Sequence, residues 1–156
     1  MIRAAISAVI ALALLFPAPV SSPAWDWPIA GPHPIVRPYI APETPYSAGH
    51  RGIDIDVGSL TTVRAPSDGV VHFAGTVVDR PVLSIRHPGG LISSYEPVMS
   101  TLARGDLVTR GQVVGEVQTG HCTWPCLHFG VRLDEEYVSP LNYLTGIPRA
   151  ILLPTR

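Results

Sequence analysis

Two histidines and an aspartate have the residue types and the spacing of a metal site. His50 and Asp54 are four residues apart, and His128 lies much further along the chain. In an extended segment His50 and Asp54 share a face, because successive side chains of a strand alternate. Two imidazoles and one carboxylate with an open fourth position are typical of catalytic zinc. His50, Asp54 and His128 are therefore candidate ligands for Zn²⁺, which would activate water and act as a Lewis acid. A chance grouping is the alternative, because six histidines make such a set easy to find by spacing alone.

The pattern around His128 predicts the strand that positions it. Alternate residues from Leu127 to Leu133 are apolar, and a strand points these side chains to one side of the sheet. His128 must then face the opposite side, which it shares with Cys126. Gly52, between His50 and Asp54, leaves room for another group to approach the backbone.

Short apolar segments separated by glycine and proline predict an all-β fold of one domain, a sandwich or barrel. The expected strands include residues 53–57, 70–78, 82–87, 91–95, 113–117 and 126–133. The only helical candidate is a single turn around Pro140 to Leu144. Residues 25–48 are rich in proline, which excludes helix and disfavours a central strand. We expect them to form an extended arm on the domain, with Trp25 and Trp27 as its packing anchor.

The start of the chain has the pattern of a secretory signal. Arg3 precedes an apolar run from Ala4 to Phe16, and small residues end at Ala24. We expect residues 1–24 to be removed and the protein to be secreted or retained in the cell envelope; an uncleaved anchor is the alternative. No later segment has the apolar length of a transmembrane span. The 11 basic residues, all arginine, balance 12 acidic ones without a basic stripe, so no nucleic-acid partner is expected.

The stretch Gly49 to Asp54 resembles the H-x-G-x-D motif of the lysostaphin and LytM family of zinc endopeptidases. Further segments resemble the family in the same order: 62–71, 84–90, 104–112, the L-H-F segment at 127–129, and 138–140. The resemblance extends from about His50 to Leu144. It implies a twisted antiparallel fold, the duplicated hybrid motif, with a groove over one sheet. It also implies zinc bound by His50, Asp54 and His128, and cleavage of peptidoglycan peptides. The family domain would span 49–146, followed by a tail at 147–156.

This sequence departs from the family pattern at two histidine positions. The family has an H-x-H pair whose first member here is Cys126, and a Y-x-H stretch whose histidine here is Pro97. In the family these histidines polarise water and stabilise the oxyanion. Glu96 is a candidate general base, with an exposed strand-end carboxylate as the alternative, and Tyr95 is a candidate oxyanion donor. His121 could reach the groove, although a solvated loop histidine is the favoured interpretation.

Cys122 and Cys126 are the only cysteines, and they are close in sequence. In an exported chain such a pair most often forms a disulfide. The alternative is that Cys126, on the same face as His128, is a fourth metal ligand. We expect the disulfide.

These features together predict an exported zinc endopeptidase that acts on peptidoglycan peptides. The alternative is a degenerate, non-enzymatic module that binds peptidoglycan or regulates a partner hydrolase. The glycine-valine hairpins also resemble biotinyl or lipoyl carrier modules. A carrier function is discounted because the chain contains no lysine.

Overall fold

The computed structural model describes residues 24–32, 34–44 and 46–146, and strands dominate this part of the chain. The strands are β1 Ile35–Arg37, β2 Ile53–Asp56, β3 Thr62–Arg64, β4 Gly69–Val77, β5 Arg80–Arg86, β6 Leu91–Glu96, β7 Val98–Met99, β8 Leu107–Val108, β9 Val113–Val117, β10 Cys126–Leu133 and β11 Glu136–Val138. Short 3₁₀ turns lie at Pro88–Gly90 and Pro140–Asn142. The second of these confirms the single helical turn predicted after Pro140.

The strands form two antiparallel sheets. The larger sheet has the order β1-β2-β10-β6-β5-β4-β8, and the smaller one has the order β3-β9-β7. β2 pairs with the first half of β10 and β11 with its second half, while β6 pairs along the other side. β10 is therefore the central strand from which the site is built, and the predicted all-β antiparallel class is confirmed.

Alternate residues of β10 form the middle of the core. Leu127, Phe129 and Val131 are completely buried, and the Phe129 ring lies 5.4 Å from that of Tyr95. Burying one such side chain contributes roughly 1.5–3 kcal/mol to the free energy of unfolding. This apolar face fixes which side of β10 turns inward, because a slip of one residue would bury His128 instead.

A chain of polar side chains is also buried in the core. His87 Nδ1 lies 2.8 Å from the Asp68 carbonyl, His87 Nε2 lies 2.7 Å from Ser93 Oγ, and Ser93 Oγ lies 2.8 Å from the Tyr95 hydroxyl. Since a carbonyl only accepts, Nδ1 carries the proton, and Nε2 accepts from Ser93. Ser93 in turn accepts from Tyr95. This chain satisfies the buried polar groups and holds His87 neutral.

The proline-rich arm lies along the domain as expected. It supplies the edge strand β1, and the buried Trp25 ring packs 5.5 Å from the ring of Tyr143. Trp25 N–H donates to the Tyr143 carbonyl at 2.7 Å, and Trp27 Nε1 donates to the Thr145 carbonyl at 3.0 Å. The packing-anchor prediction for this cluster is confirmed.

Within the described residues, no helix has both the length and the apolar character needed to cross a membrane. The predicted signal peptide falls almost wholly on residues 1–23, and the predicted tail on residues 147–156. Both lie outside the described part of the chain.

Candidate metal centre

The register of β10 brings the predicted ligands together. His128 is paired with Asp54 on β2, and on its other side with Glu96 on β6. Residues directly opposite on antiparallel strands have Cα atoms about 4.5–5.5 Å apart. Because these three residues share one face, the sheet itself places two of the predicted ligands side by side.

His50 reaches the same place from the segment before β2. An isolated bridge pairs His50 with Ile40, and the chain then bends at Gly52. A Cβ at position 52 would lie 2.5 Å from the Phe129 carbonyl oxygen and 2.7 Å from His128 Nε2. The predicted room beside Gly52 therefore exists, and the His128 ring occupies it.

The three predicted ligand atoms form a tight cluster. His50 Nε2 lies 3.1 Å from Asp54 Oδ1 and 3.2 Å from His128 Nδ1, and His128 Nδ1 lies 2.7 Å from Asp54 Oδ1. His50 and Asp54 are buried, while His128 is partly open to solvent. One side of the cluster is thus accessible.

Hydrogen bonding around His50 fits a cation at the centre of this cluster. His50 Nδ1 lies 2.7 Å from the Pro38 carbonyl oxygen, so Nδ1 carries a proton that it donates to that oxygen. In the neutral ring Nε2 then has a lone pair, and this lone pair faces a carboxylate oxygen at 3.1 Å. Two facing acceptors repel each other unless a proton or a metal ion lies between them. A ring nitrogen fixed by a carbonyl on its other side is the usual arrangement of a metal-bound histidine.

The electrostatics of Asp54 favour its charged form. Burial alone would raise its pKa, but the hydrogen bonds with His121 and His128 outweigh burial and hold the pKa of Asp54 well below its usual range. Asp54 is therefore an anionic oxygen donor at neutral pH, in a set of nitrogen and oxygen donors that suits zinc.

A fourth side chain, expected in solvent from its place in a polar segment, joins the cluster. His121 lies in the loop between β9 and β10, and its Nε2 atom is 3.1 Å from Asp54 Oδ1. Its side chain is 15% exposed. The interpretation as a solvated loop histidine is therefore wrong. His50, Asp54, His121 and His128 offer ligand atoms that all lie within 4.8 Å of one another.

The Cys122–Cys126 disulfide is present and confirms the predicted pairing. Both sulfurs are consumed in that bond, so the alternative of Cys126 as a free thiolate ligand does not hold. Cys126 is buried rather than open on the face of His128. The bond attaches the loop residue next to His121 to the first residue of β10.

The two candidate catalytic residues, Glu96 and Tyr95, lie on opposite faces of β6. Glu96 lies on the face of the cluster, where its carboxylate pairs with Arg80 Nη1 at 2.8 Å and lies 3.5 Å from His121 Nδ1. Tyr95 points the other way into the core, and burial raises the pKa of its hydroxyl. The structure does not bring Tyr95 to the cluster, which argues against a role as oxyanion donor.

A groove of about 380 Å³ opens beside the cluster on the outer face of the sheet. Its lining includes Arg51, Phe73, Ser94, Glu96, His128 and Arg132. Arg132 Nη1 pairs with Glu135 at 3.0 Å. The groove leads directly to the exposed side of His128.

The fold and the donor set define an antiparallel β domain with a histidine and aspartate cluster, suited to a metal ion, at the edge of a groove. The model of peptidase family M23 matches residues 48–140, which is more than half of the chain. The chain therefore belongs to peptidase family M23, in agreement with the resemblance seen in the sequence.

Individual proteins extend this relationship. The uncharacterized protein Rv2891 of Mycobacterium tuberculosis is 37% identical over 129 residues, which cover 78% of this chain and 52% of that protein. The DD-carboxypeptidase/endopeptidase Mpg of Neisseria meningitidis serogroup B is 33% identical over 101 residues, 64% of this chain and 24% of Mpg. A zinc containing peptidase from Vibrio cholerae has a similar structure, with a TM-score of 0.62, 25% identity, and coverage of 76% of this chain and 39% of that one. This chain thus spans about half the length, or less, of the curated relatives it matches.

Proposed function

We propose that this protein is an exported zinc endopeptidase that hydrolyses peptide bonds in cell-wall peptidoglycan. The observation that carries the proposal is the convergence of His50, Asp54 and His128, with ligand atoms 2.7–3.2 Å apart, beside an open groove. Membership of peptidase family M23 and the similarity to Mpg support the peptidase class and the peptidoglycan substrate.

The residues of the chain have distinct parts in this proposal. Bound zinc would supply a Lewis acid and lower the pKa of water from 15.7 to about 7. His50, Asp54 and His128 would hold it, and the Pro38 carbonyl would keep the His50 ring in the tautomer that binds metal. The groove beside His128 would orient the peptide. Glu96, on the groove side of the cluster, is the candidate proton acceptor.

Turnover is expected to be slow. Both family histidine positions are substituted, at Pro97 and Cys126. Positioned acid–base groups typically contribute about 10²–10⁴-fold to a rate, and one oxyanion donor about 10²–10³-fold. These losses need not multiply, because residues that act as a unit are not additive.

The test combines metal analysis with digestion of purified sacculi. The wild type should contain one zinc per chain and release peptide fragments slowly. His128→Ala should lose both properties, because it removes one of the few donors that hold the metal. His72→Ala is the matched control for metal content: it removes a histidine that lies outside the cluster, so one zinc per chain should persist. Retention of zinc with unchanged affinity by His128→Ala would contradict the ligand assignment.

Export is part of the proposal and has its own measurement. The charged start, apolar run and small residues before Trp25 support cleavage after Ala24. The intact mass of protein recovered from the cell envelope or medium should correspond to a chain that begins at Trp25. A mass that includes Met1 would contradict cleavage.

A non-catalytic module is the second candidate. The substitutions at Pro97 and Cys126 favour it, since they remove the proton-handling residues that the family uses. In that case the protein would bind sacculi, or regulate a partner cell-wall hydrolase, without releasing peptide fragments. Sacculus binding that survives removal of zinc by a chelator, together with no digestion, would support this function over the enzymatic one.

A further inference from the structure

His121 approaches the metal cluster from a different direction than the three predicted ligands. The other three are placed by β2, β10 and the bridge before β2, whereas His121 comes from the loop that precedes β10. Its Nε2 atom points to Asp54 Oδ1 at 3.1 Å, and its ring lies 5.0 Å from the ring of His128. The imidazole therefore lies on the side of the cluster that the sheet leaves open.

The position of His121 fits the fourth corner of a tetrahedral site. Zinc binds nitrogen and oxygen at about 2.0–2.2 Å, so adjacent ligand atoms of a tetrahedron are about 3.3–3.6 Å apart. The three predicted ligand atoms are 2.7–3.2 Å apart, slightly closer than these edges, so an ion between them would move them apart by a few tenths of an ångström; His121 Nε2, at 3.1 Å from Asp54, fits the same description. All four ligand atoms lie within 4.8 Å of one another.

We propose that His121 is a fourth protein ligand, so that the resting metal centre is closed by three histidines and Asp54. This inference rests on the proposed metal site. In this proposal His121 occupies the position that a three-ligand site would leave open for water. The disulfide holds the loop that places His121 there. Peptide or water would then have to displace His121 or add as a fifth ligand.

A carboxylate and a guanidinium lie next to His121 Nδ1, and they bear on which ring nitrogen carries the proton. Ligation through Nε2 requires a proton on Nδ1, and an acceptor for that proton is the Glu96 carboxylate, 3.5 Å away. Metal-bound histidines usually donate their second N–H to a carboxylate or a carbonyl in this way. The structure itself has the other tautomer. Arg80 Nη1 donates to His121 Nδ1 at 3.1 Å while it pairs with Glu96 at 2.8 Å, so Nε2 carries the ring proton and donates to Asp54. Metal binding at Nε2 requires that proton to move to Nδ1, next to Glu96. Glu96 is then a positioning residue for His121.

The disulfide fixes the loop at the point where His121 needs it. His121 is followed by Cys122, whose sulfur is bonded to Cys126 at the beginning of β10. Two residues further along the strand is His128. The loop ligand and the strand ligand are therefore tied to the same covalent link, although loops are in general more mobile than the elements they connect.

Cobalt binding tests the proposal independently of turnover. Tetrahedral Co²⁺ absorbs visible light far more strongly than five- or six-coordinate Co²⁺, and it can replace zinc in such sites. The exported chain, freed of metal, is titrated with Co²⁺ as wild type, His121→Ala and the control His72→Ala. We expect a strong tetrahedral spectrum for wild type and control, unchanged by added imidazole.

His121→Ala should bind Co²⁺ at least about tenfold more weakly, since even an outer partner of a ligand is worth 10–100-fold in affinity. Its spectrum should weaken, and added imidazole should restore it by filling the vacated position. Wild-type affinity and spectrum in His121→Ala would overturn the proposal, as would a wild-type spectrum that responds to imidazole.

The outcome separates this inference from the proposed function. A tetrahedral spectrum that depends on His121, in a protein that never digests sacculi, supports the closed centre and contradicts the endopeptidase. Digestion of sacculi by zinc-loaded wild type and His121→Ala at the same zinc affinity supports the endopeptidase and contradicts the fourth ligand. A wild type that binds no metal ion contradicts both.

Discussion

Removal of the Cys122–Cys126 bond has an effect that can be calculated from the position of the two residues. The sequence separation is 4, so the bond closes a loop of residues 122 through 126. In the chain-entropy model the cross-link changes the entropy of the unfolded state by −2.1 − 1.5R ln n cal/mol/K. For about five residues this raises the free energy of the unfolded state by about 2 kcal/mol at 25 °C. The predicted loss of unfolding free energy is therefore about 2 kcal/mol, or roughly 6–10 °C in Tm for a domain of this size.

Cys122→Ser is the variant that isolates this effect. Cys122 is half-buried, whereas Cys126 is 2% exposed within β10. A free Cys126 behaves as a small apolar residue and keeps its packing. Cys126→Ser, in contrast, buries a hydroxyl and should cost about 1–3 kcal/mol more if that hydroxyl finds no partner.

Urea unfolding measures the loss of unfolding free energy in Cys122→Ser and in Cys126→Ser. The metal-free protein is used because bound metal would add its own stabilisation. Wild type treated with a mild reductant should unfold like Cys122→Ser, at a lower midpoint and with little change in slope. If oxidised wild type and Cys122→Ser differ by less than about 0.5 kcal/mol, the constraint on the unfolded chain is not what stabilises this loop.

Three further predictions follow from the site and the core. Gly52→Ala should weaken Co²⁺ binding at least about tenfold, because the new Cβ would displace the His128 ring. Gly130→Ala is the control in the same titration and should have a smaller effect, because its Cβ would come no closer than 3.1 Å to its nearest neighbour, the Arg51 carbonyl oxygen. Burial lowers the pKa of His87, so below about pH 6.5 the unfolded state binds a proton that the folded state does not. From pH 7.5 to pH 5.5 the unfolding free energy of wild type should therefore fall relative to that of His87→Gln, because the opposing effect of His121, whose pKa is raised by its hydrogen bond to Asp54, is common to both proteins. Glu96→Gln, assayed at saturating zinc so that weaker binding through His121 does not contribute, should abolish sacculus digestion if Glu96 is the general base; unchanged digestion would contradict that role.

Local patterns predicted most of the elements that build the site. The alternation along β10 places Leu127 and Phe129 in the core and His128 on the other face, and period two requires nothing beyond the sequence to be recognised. The proline-rich arm was predicted for a similar reason, since proline excludes helix and restricts strands to edges. The disulfide followed from two nearby cysteines and an expected oxidising environment.

The position of His121 could not be predicted in this way, because it depends on a loop and not on a repeating pattern. Nothing in the spacing between His121 and Asp54 indicates contact, and a histidine in a polar segment is ordinarily solvated. The signal that was present lies in Cys122. A residue next to a bonded cysteine is held near the partner cysteine, and here the partner begins the strand of His128. The inward orientation of Tyr95 follows from the strand register, because Leu83 and Phe129 pair with it and both face the core.

The substitution at position 126 and the placement of His121 are physically linked. A strand residue two positions before His128 lies on the same face, so a histidine there would be delivered to the cluster by the sheet alone. A disulfide at that position removes the imidazole but ties down the preceding loop, and the loop then brings His121 to the same cluster. The two arrangements differ in how the histidine is held in place. A strand histidine is held beside the metal by the ladder, whereas a loop histidine is held by one covalent link and by contacts with Asp54 and Glu96. Access to this centre therefore depends on the position of the loop. The position of the loop depends in turn on whether the disulfide is intact.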